Sequence, residues 1–441
     1  FGFYLNAPTL GSKMLCTLNH SFFSTNGQNW RFLFEGLQFG QEQTLFHQPE
    51  GEVGVYQGGG RNDQECDVSL SRTLDLFDGL WLPVPYVRFV APHRFDHGPA
   101  SWSRLRVVRL ETPDRDGNTH RITVACDTSV VDLTEGAAYL APLREDINAG
   151  ALFRIACDSA HMDWFLNRDW VQEWLLEVYK DNVNKTRNID FGEDVNALRS
   201  AQLHFLNLLS LFAPPHGCVD GRSEAWVRLP DIKVLAANWQ SEQVIPVDLV
   251  LDVGNSRTCG ILIENHGQDD SGLRKNYVLQ LRDLSHPHQV YSKPFESRVE
   301  FAQTDFGKNH LSLKSGRPTA FSWPTLVRVG DEAARLAARR RGTEGTTGLS
   351  SPKRYLWDEN EYKHGWRFSQ QYDRSDAEPR ALAAPFSLHI DERGEALFTL
   401  EEDDRLPVFE PFYSRRSVMT FMLNEVLAQA LLQINSPAQR V

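Results

Sequence analysis

Between positions 252 and 258 the chain places one carboxylate, Asp252, and two hydroxyls, Ser256 and Thr258, around Gly254. They lie within Val247-Asp-Leu-Val-Leu-Asp-Val-Gly-Asn-Ser-Arg-Thr-Cys-Gly-Ile-Leu-Ile-Glu264, which reads as two buried strands joined by a small polar turn. Such a turn suits the polyphosphate and magnesium of a nucleotide. Magnesium keeps several waters and takes few protein carboxylates, so Asp252 at a strand end could accept hydrogen bonds from metal-bound water. Gly254 permits close backbone approach, and successive N–H groups from Asn255 to Thr258 can form an anion-binding nest. Arg257 could reach a phosphate or lie in solvent. The same residues also suit an ordinary hairpin in which Asp, Asn and Ser only satisfy the turn.

Other constellations carry less. His93 and His97 have i, i+4 spacing, but Pro92 and Gly98 flank them and argue against a helical metal pair. His286-Pro-His288 reads as a surface loop, and Arg339-Arg-Arg341 as the basic end of a short helix. No Walker A, Gly-x-Ser-x-Gly or His-Glu-x-x-His pattern occurs. The six cysteines include no Cys-x-x-Cys pair, which argues against a zinc knuckle and suits scattered core thiols of a reducing compartment. Asn19-His-Ser21 and Asn184-Lys-Thr186 read as chance glycosylation matches.

The elements that must position the turn belong to a chain of 441 residues, long enough for two or three domains. Hydrophobic residues at 41% and charged residues at 24% are ordinary globular values, and 26 Phe with 11 Trp allow sizeable cores. The net charge of -12 argues against broad nucleic-acid or anionic-membrane binding. No apolar run approaches the ~20 residues of a membrane span. The opening Phe1-Gly-Phe-Tyr lacks a Met or a leader pattern, and the chain stops at Val441 just past a helical pattern. It reads as a piece cut from a larger protein, cytoplasmic, with leaderless secretion left open.

The pattern predicts a mixed α/β and α+β chain: a β-rich accessory domain over 1–245, then a second domain over 246–441 that is incomplete at its C-terminus. Strands are expected at 81–90, on an edge because of Pro83 and Pro85, at 104–110, and at 121–127 after the turn signal Asp116-Gly-Asn118. Residues 40–65 read as loop. Two helices are expected near 159–212. The first has Asp158 or Ser159 as N-cap and carries Trp164, Phe165, Trp170 and Trp174; the second carries Val195, Leu198, Phe205 and Leu209. Aromatic stripes of this kind are core rather than a cofactor box. A strand over 225–229, a strand over 277–282, an extended segment over 290–301, a helix over 331–341, a hairpin across Asp391-Glu-Arg-Gly394 and a well-buried helix over 414–434 complete the reading.

Asp252-Val-Gly-Asn-Ser-Arg-Thr-Cys259 resembles the first phosphate-binding motif of the actin, sugar-kinase and DnaK-type chaperone ATPase superfamily. Further likenesses follow in order. Phe295-Glu-Ser-Arg-Val-Glu-Phe301 resembles that family's third-strand segment, Val329-Gly-Asp-Glu-Ala333 its Val-Gly-x-x-Ala helix start, and Ser351-Pro-Lys-Arg-Tyr-Leu356 the segment with its catalytic lysine. The whole-chain pattern, including Phe412-Tyr-Ser-Arg-Arg-Ser-Val-Met-Thr-Phe-Met-Leu-Asn-Glu-Val-Leu-Ala-Gln-Ala-Leu431, is similar to the bacterial SrfB virulence-factor family.

The resemblance implies that residues 246–441 are the N-terminal lobe of an actin-like, ribonuclease H-like ATPase domain. ATP and magnesium are the implied cofactors. Asp252 would hold magnesium through water, Gly254, Asn255, Ser256, Arg257 and Thr258 would cradle phosphates, and Lys353 would stabilise charge on the transferred phosphoryl group. The superfamily's second phosphate motif and its Gly-Gly adenosine motif do not occur after Asp252 in this chain, so the chain by itself is expected to bind nucleotide weakly. The expected function is a slow ATPase acting as a conformational or assembly switch, with protein partners in a virulence-associated complex; homo-oligomerisation is left open. The alternative is a degenerate scaffold for partner proteins of such a complex. A small-molecule kinase would need a further substrate aspartate.

Overall fold

The computed structural model describes residues 12–15, 23–24, 30–37, 44–47, 53–54, 68–91, 94–115, 118–127, 142–156, 162–187, 195–212, 229, 231–236, 246–265, 275–286, 288–302, 306–314, 326–339, 348–360, 390–406, 408 and 414–434. They form mixed helix and sheet, mostly sheet toward the N-terminus. Two units share the chain: Phe1–Phe22, Gln28–Ala237 and Phe306–Phe321 make the first, and Phe23–Gly27, Asn238–Asp305 and Ser322–Val441 the second. The return of 306–321 to the first unit is a feature that a single linear boundary near 246 does not describe.

In the first unit Trp30–Leu37, His120–Asp127, Ser103–Arg109 and Trp81–Val84 lie side by side in that order, antiparallel throughout. Pro83 sits opposite Arg104 on the outermost strand, where its missing N–H leaves no rung unfilled. A second antiparallel sheet runs Ser12–Leu15, Ile232–Ala236, Leu152–Ile155, Tyr86–Ala91, Arg94–His97. Residues 40–65, expected as loop, contain the strands Thr44–His47 and Val53–Gly54, which join Val68–Ser69 in a small sheet. Runs so short are hard to tell from loop by pattern, because two to four residues show no period. Asp116 and Gly117 lie outside the described residues, as do Asp158, Ser159 and residues 225–228.

The aromatic stripes are core. The first helical stretch is broken at Asn167 and Arg168 into Asp163–Leu166 and Asp169–Arg187; the second runs Val195–Leu209 and ends in a 3-10 turn at Phe212. Phe165, Trp170, Trp174, Phe205 and Leu209 are all buried. Arg104 is buried among them, its guanidinium 4.7 Å from the Trp174 ring centroid, a cation–π contact that partly offsets the cost of burying charge. The Trp174 indole N–H donates to Trp81 O at 3.2 Å.

The returning segment seats Phe306 against Trp81, ring centroids 5.3 Å apart. At Gly307, φ is +109°, and a Cβ there would lie 2.4 Å from Trp174. Beyond it Lys308, His310 and Lys314 meet Asp181, Glu177 and Glu173 at 2.5, 3.0 and 2.5 Å. Those acids are four residues apart on one helix, so they form a single stripe.

In the second unit Val247–Val253 and Arg257–Glu264 form a hairpin, extended by Lys275–Val278 on one side and met at its turn end by Phe295–Glu296. Expected as strands buried on both faces, they alternate instead. Leu249, Leu251 and Leu262 join the core, while Val250, Ile261 and Val278 sit opposite one another in register and are 55%, 47% and 54% exposed. An apolar run marks a strand but not how many of its faces are covered. A second sheet orders Val327–Val329, Arg298–Phe301 and Leu349–Ser350.

The helix Arg415–Ile434 packs on this core through Val418, Phe421, Met422 and Val426. Ser414 caps it, its Oγ accepting the Ser417 N–H at 3.2 Å. Its polar side chains also bind strand backbone. Gln429 Oε1 accepts from Arg282 N at 2.7 Å, and Gln433 accepts from Gln280 N and donates to Val278 O. The hairpin at 391–394 forms as expected, with Asp391 Oδ1 accepting from Arg393 N and Glu395 N.

Candidate functional site

At the end of the first hairpin Val253 pairs with Thr258, and Gly254 N donates to Arg257 O at 3.0 Å. Asn255 and Ser256 are left at the exposed apex. A Cβ on Gly254 would stand 2.6 Å from Arg257 O, so only glycine lets the strands close this tightly. Asp252 and Arg257 are exposed beside the turn, and among the described residues the Asp252 carboxylate has no ion-pair partner.

Thr258 faces the other way. It is buried, with its hydroxyl 2.9 Å from Ser297 Oγ. Ser297 Oγ donates to Gly254 O at 2.8 Å. That uses the single serine hydrogen, so Thr258 is the donor to Ser297. The Thr258 hydroxyl therefore braces the turn from behind. Ser297 N also donates to Ser256 O at 2.9 Å, and Ser297 O accepts from Ser351 N at 2.7 Å.

Ser351 carries the chain into the lysine segment. It is in the left-handed region, φ 55° and ψ 53°, and stands alone in that among the described non-glycine residues. The 3-10 turn Pro352–Tyr355 follows. It aims Lys353 back at the hairpin, where Nζ donates to Val253 O at 2.8 Å. Asp252, the turn and Lys353 are thus brought together at one end of one sheet.

The helix start expected at Val329-Gly330 is Gly330–Ala338. Gly330 has φ +63°, and a Cβ there would press on Leu281 and Phe295 at 3.1 Å. The helix places Asp331 near Arg257 and Glu296; burial raises its pKa, and the Glu296 charge adds to the rise while Arg257 opposes it.

Behind it lies an ion network that no spacing in the sequence announced. Glu332 is fully buried and accepts from Leu284 N, Ser285 N and Ser285 Oγ at 2.9, 2.9 and 2.6 Å, with Arg328 Nε 3.3 Å away. Burial pushes its carboxyl up to about 7, the Arg328 charge opposing the shift and the Asp283 charge adding to it. Buried Asp283 is held by Arg335 at 2.8 Å. Burial would raise its pKa, but the His286 hydrogen bond and Arg335 outweigh that and hold it well below the usual carboxylate range. His286, expected in a surface loop, is half-buried against Asp283.

The remaining candidates disperse. His97 lies on a strand and stacks on Trp164 at 5.0 Å, while His93 lies outside the described residues. Arg339 ends the 330–338 helix as expected; Arg340 and Arg341 are outside the described residues. Among the described residues no cluster of three or more His, Cys, Asp or Glu could hold a metal, and no helix is long and apolar enough to cross a membrane.

A family model described as Virulence factor SrfB matches residues 23–441. No curated protein and no solved structure matches the chain.

Proposed function

The chain belongs to the SrfB family, and from that premise we propose that its second unit is the first lobe of an actin-like ATPase domain that binds Mg-ATP at the 252–258 turn. The observation that carries the reading is the hydrogen bond from Lys353 Nζ to Val253 O. It sets an ammonium beside a glycine turn and an exposed carboxylate, the three kinds of group that a polyphosphate with magnesium requires.

The residues present fit magnesium, which needs only one protein carboxylate and keeps its own waters. Asp252 would hold those waters, and bound magnesium supplies neutralising charge to the phosphate oxygens. The exposed apex, Asn255 and Ser256, would face the phosphates with Arg257 at its flank. Thr258 supports them through its bond to Ser297. Lys353 would exchange the Val253 carbonyl for a γ-phosphate oxygen and stabilise charge there. In the reaction, water oxygen bonds to the γ-phosphorus as the bond to the ADP oxygen breaks, yielding ADP and phosphate. Slow turnover would drive a conformational or assembly switch.

A second reading is a scaffold for partner proteins of a virulence-associated complex. The exposed row Val250, Ile261 and Val278 favours it, since a contiguous apolar row on a sheet face offers a surface for a protein partner. Calorimetric titration of the intact protein with Mg-ATP separates the two. Heat from the parent that is lost in Asp252→Ala supports the nucleotide reading. Absence of heat from the parent, with stoichiometric partner binding indifferent to nucleotide, replaces it with the scaffold.

A further inference from the structure

We infer that Ser297 is the positioning residue of this site: it locks the 254–258 turn and the Lys353 segment into one arrangement, so that phosphate binding at the turn and the placement of the Lys353 ammonium depend on each other. The inference rests on the nucleotide reading above.

Ser297 is buried and ties two separate stretches of chain, the turn and the Ser351 segment, to its own stretch. Its hydroxyl donates to Gly254 O at 2.8 Å and accepts from Thr258 Oγ1 at 2.9 Å. Its N–H donates to Ser256 O at 2.9 Å, and its carbonyl accepts from Ser351 N at 2.7 Å. Ser351 leads directly into Pro352 and Lys353, and Lys353 Nζ closes the circuit on Val253 O at 2.8 Å. Each link is a hydrogen bond of ordinary length, and the circuit passes through Ser297 once. The turn therefore cannot move without moving Ser297, and Ser297 cannot move without moving the segment that aims the lysine. Phosphoryl chemistry depends on placement to within fractions of an ångström, so a brace of this kind acts on function as well as on folding. Alanine at 297 keeps the backbone links to Ser256 and Ser351 but leaves the buried Thr258 hydroxyl and the Gly254 carbonyl each short of a partner, which loosens the turn against the segment that aims the lysine. Threonine keeps the same donor and acceptor.

The test is a double-mutant cycle in the intact protein, read by Mg-ATP calorimetry and by steady-state ATP hydrolysis. Ser297→Ala is expected to weaken Mg-ATP binding about tenfold, and Ser297→Thr to restore it to within about threefold. In steady-state ATP hydrolysis, the double variant Ser297→Ala/Lys353→Ala should lose clearly less than the product of the two single losses in rate. Effects that multiply to within about twofold would overturn the inference, because independent sites behave that way. Should Ser297→Ala not fold, Thr258→Val removes one of the same bonds from the other side and is held to the same non-multiplicative outcome. If the parent takes up no Mg-ATP, the nucleotide reading fails, and Ser297 is judged by amide hydrogen exchange in the ligand-free protein. Exchange must then rise in Ser297→Ala at 254–258 and at 351–354 together; a rise at one segment alone, or at neither, overturns the brace.

Discussion

Lys353 Nζ reaches back 100 positions to donate to Val253 O at 2.8 Å, one residue past Asp252. The lysine is exposed, and so is Asp252, so the bond adds little to stability. A single hydrogen bond at the surface contributes about 1 kcal/mol or less.

Lys353→Ala is therefore expected to leave the melting temperature nearly unchanged; under the proposed nucleotide function it should slow ATP hydrolysis about 100-fold, with Mg-ATP affinity largely kept. Asp252→Ala should instead abolish the magnesium dependence of binding. A Lys353→Ala protein that turns over ATP at the parent rate would remove the lysine from the chemistry.

Ser351 holds a left-handed conformation immediately before a proline. For residues with a Cβ that conformation costs about 1–2 kcal/mol, and more when the side chain is β-branched. Ser351→Gly should raise the midpoint of denaturant unfolding slightly, and Ser351→Val should lower it by the equivalent of about 1 kcal/mol or more. The two variants should also bracket the parent in hydrogen exchange at 351–354. Equal stability for Gly, Ser and Val would mean that the strain is absent in solution.

The two buried carboxylates of the ion network give stability opposite dependences on pH. Burial pushes the Glu332 carboxyl from its ordinary 4.5 up to about 7. The folded state then binds the extra proton, so this contribution is fully present below 4.5 and is lost as pH rises through about 7. Asp283 is depressed, so its contribution is present above its ordinary value of 3.8 and is lost as the solution becomes more acidic. Glu332→Gln should flatten the fall in stability between pH 5 and 7, roughly the span between the two Glu332 values. Melting curves of the parent and variant that run parallel across that range would contradict the assignment.

His204 in the first unit behaves as a buried neutral base. Its Nδ1 lies 2.8 Å from Thr73 Oγ1, which also accepts from Asn207 Nδ2 at 2.9 Å. Burial, aided by the Arg72 charge, lowers its pKa from 6.5 to about 4. The unfolded chain binds the proton first, so stability present above 6.5 declines as pH falls toward 4. His204→Gln should be less stable at neutral pH but lose less on acidification. Titration of the His204 ring by NMR near its ordinary value would show that the burial is not maintained in solution.

Local pattern carried some features a long way. The edge position of Trp81–Val84 follows from Pro83, the helix Arg415–Ile434 from its apolar spacing, and the 391–394 hairpin from Asp391 and Gly394, because each depends on neighbours within a few residues. The single edge strand expected over 81–90 instead splits at Pro85, and Tyr86–Ala91 lies inside the other sheet between two neighbours, which local pattern does not show. Residues 252–258 were legible as a turn for the same reason. What they pack against was not. Thr258 could be read as a phosphate ligand, whereas its hydroxyl is buried on Ser297, and nothing in Phe295-Glu-Ser-Arg-Val singles out that serine. The alternating exposure of Val250 and Ile261 and the Glu332–Arg328–Asp283 network were equally silent.

The sequence by itself determined where the strand, turn and lysine segments lie, and the SrfB family match spans nearly all of the chain. Only the tertiary structure decided that Lys353 meets Val253, that Ser297 joins the two segments, and that 306–321 returns to the first unit. Helix periods, turn residues and prolines act through the backbone over a few positions. Hydrogen bonds between residues 39 and 100 positions apart, Thr258 with Ser297 and Lys353 with Val253, exist only once the sheet has brought them within about 3 Å.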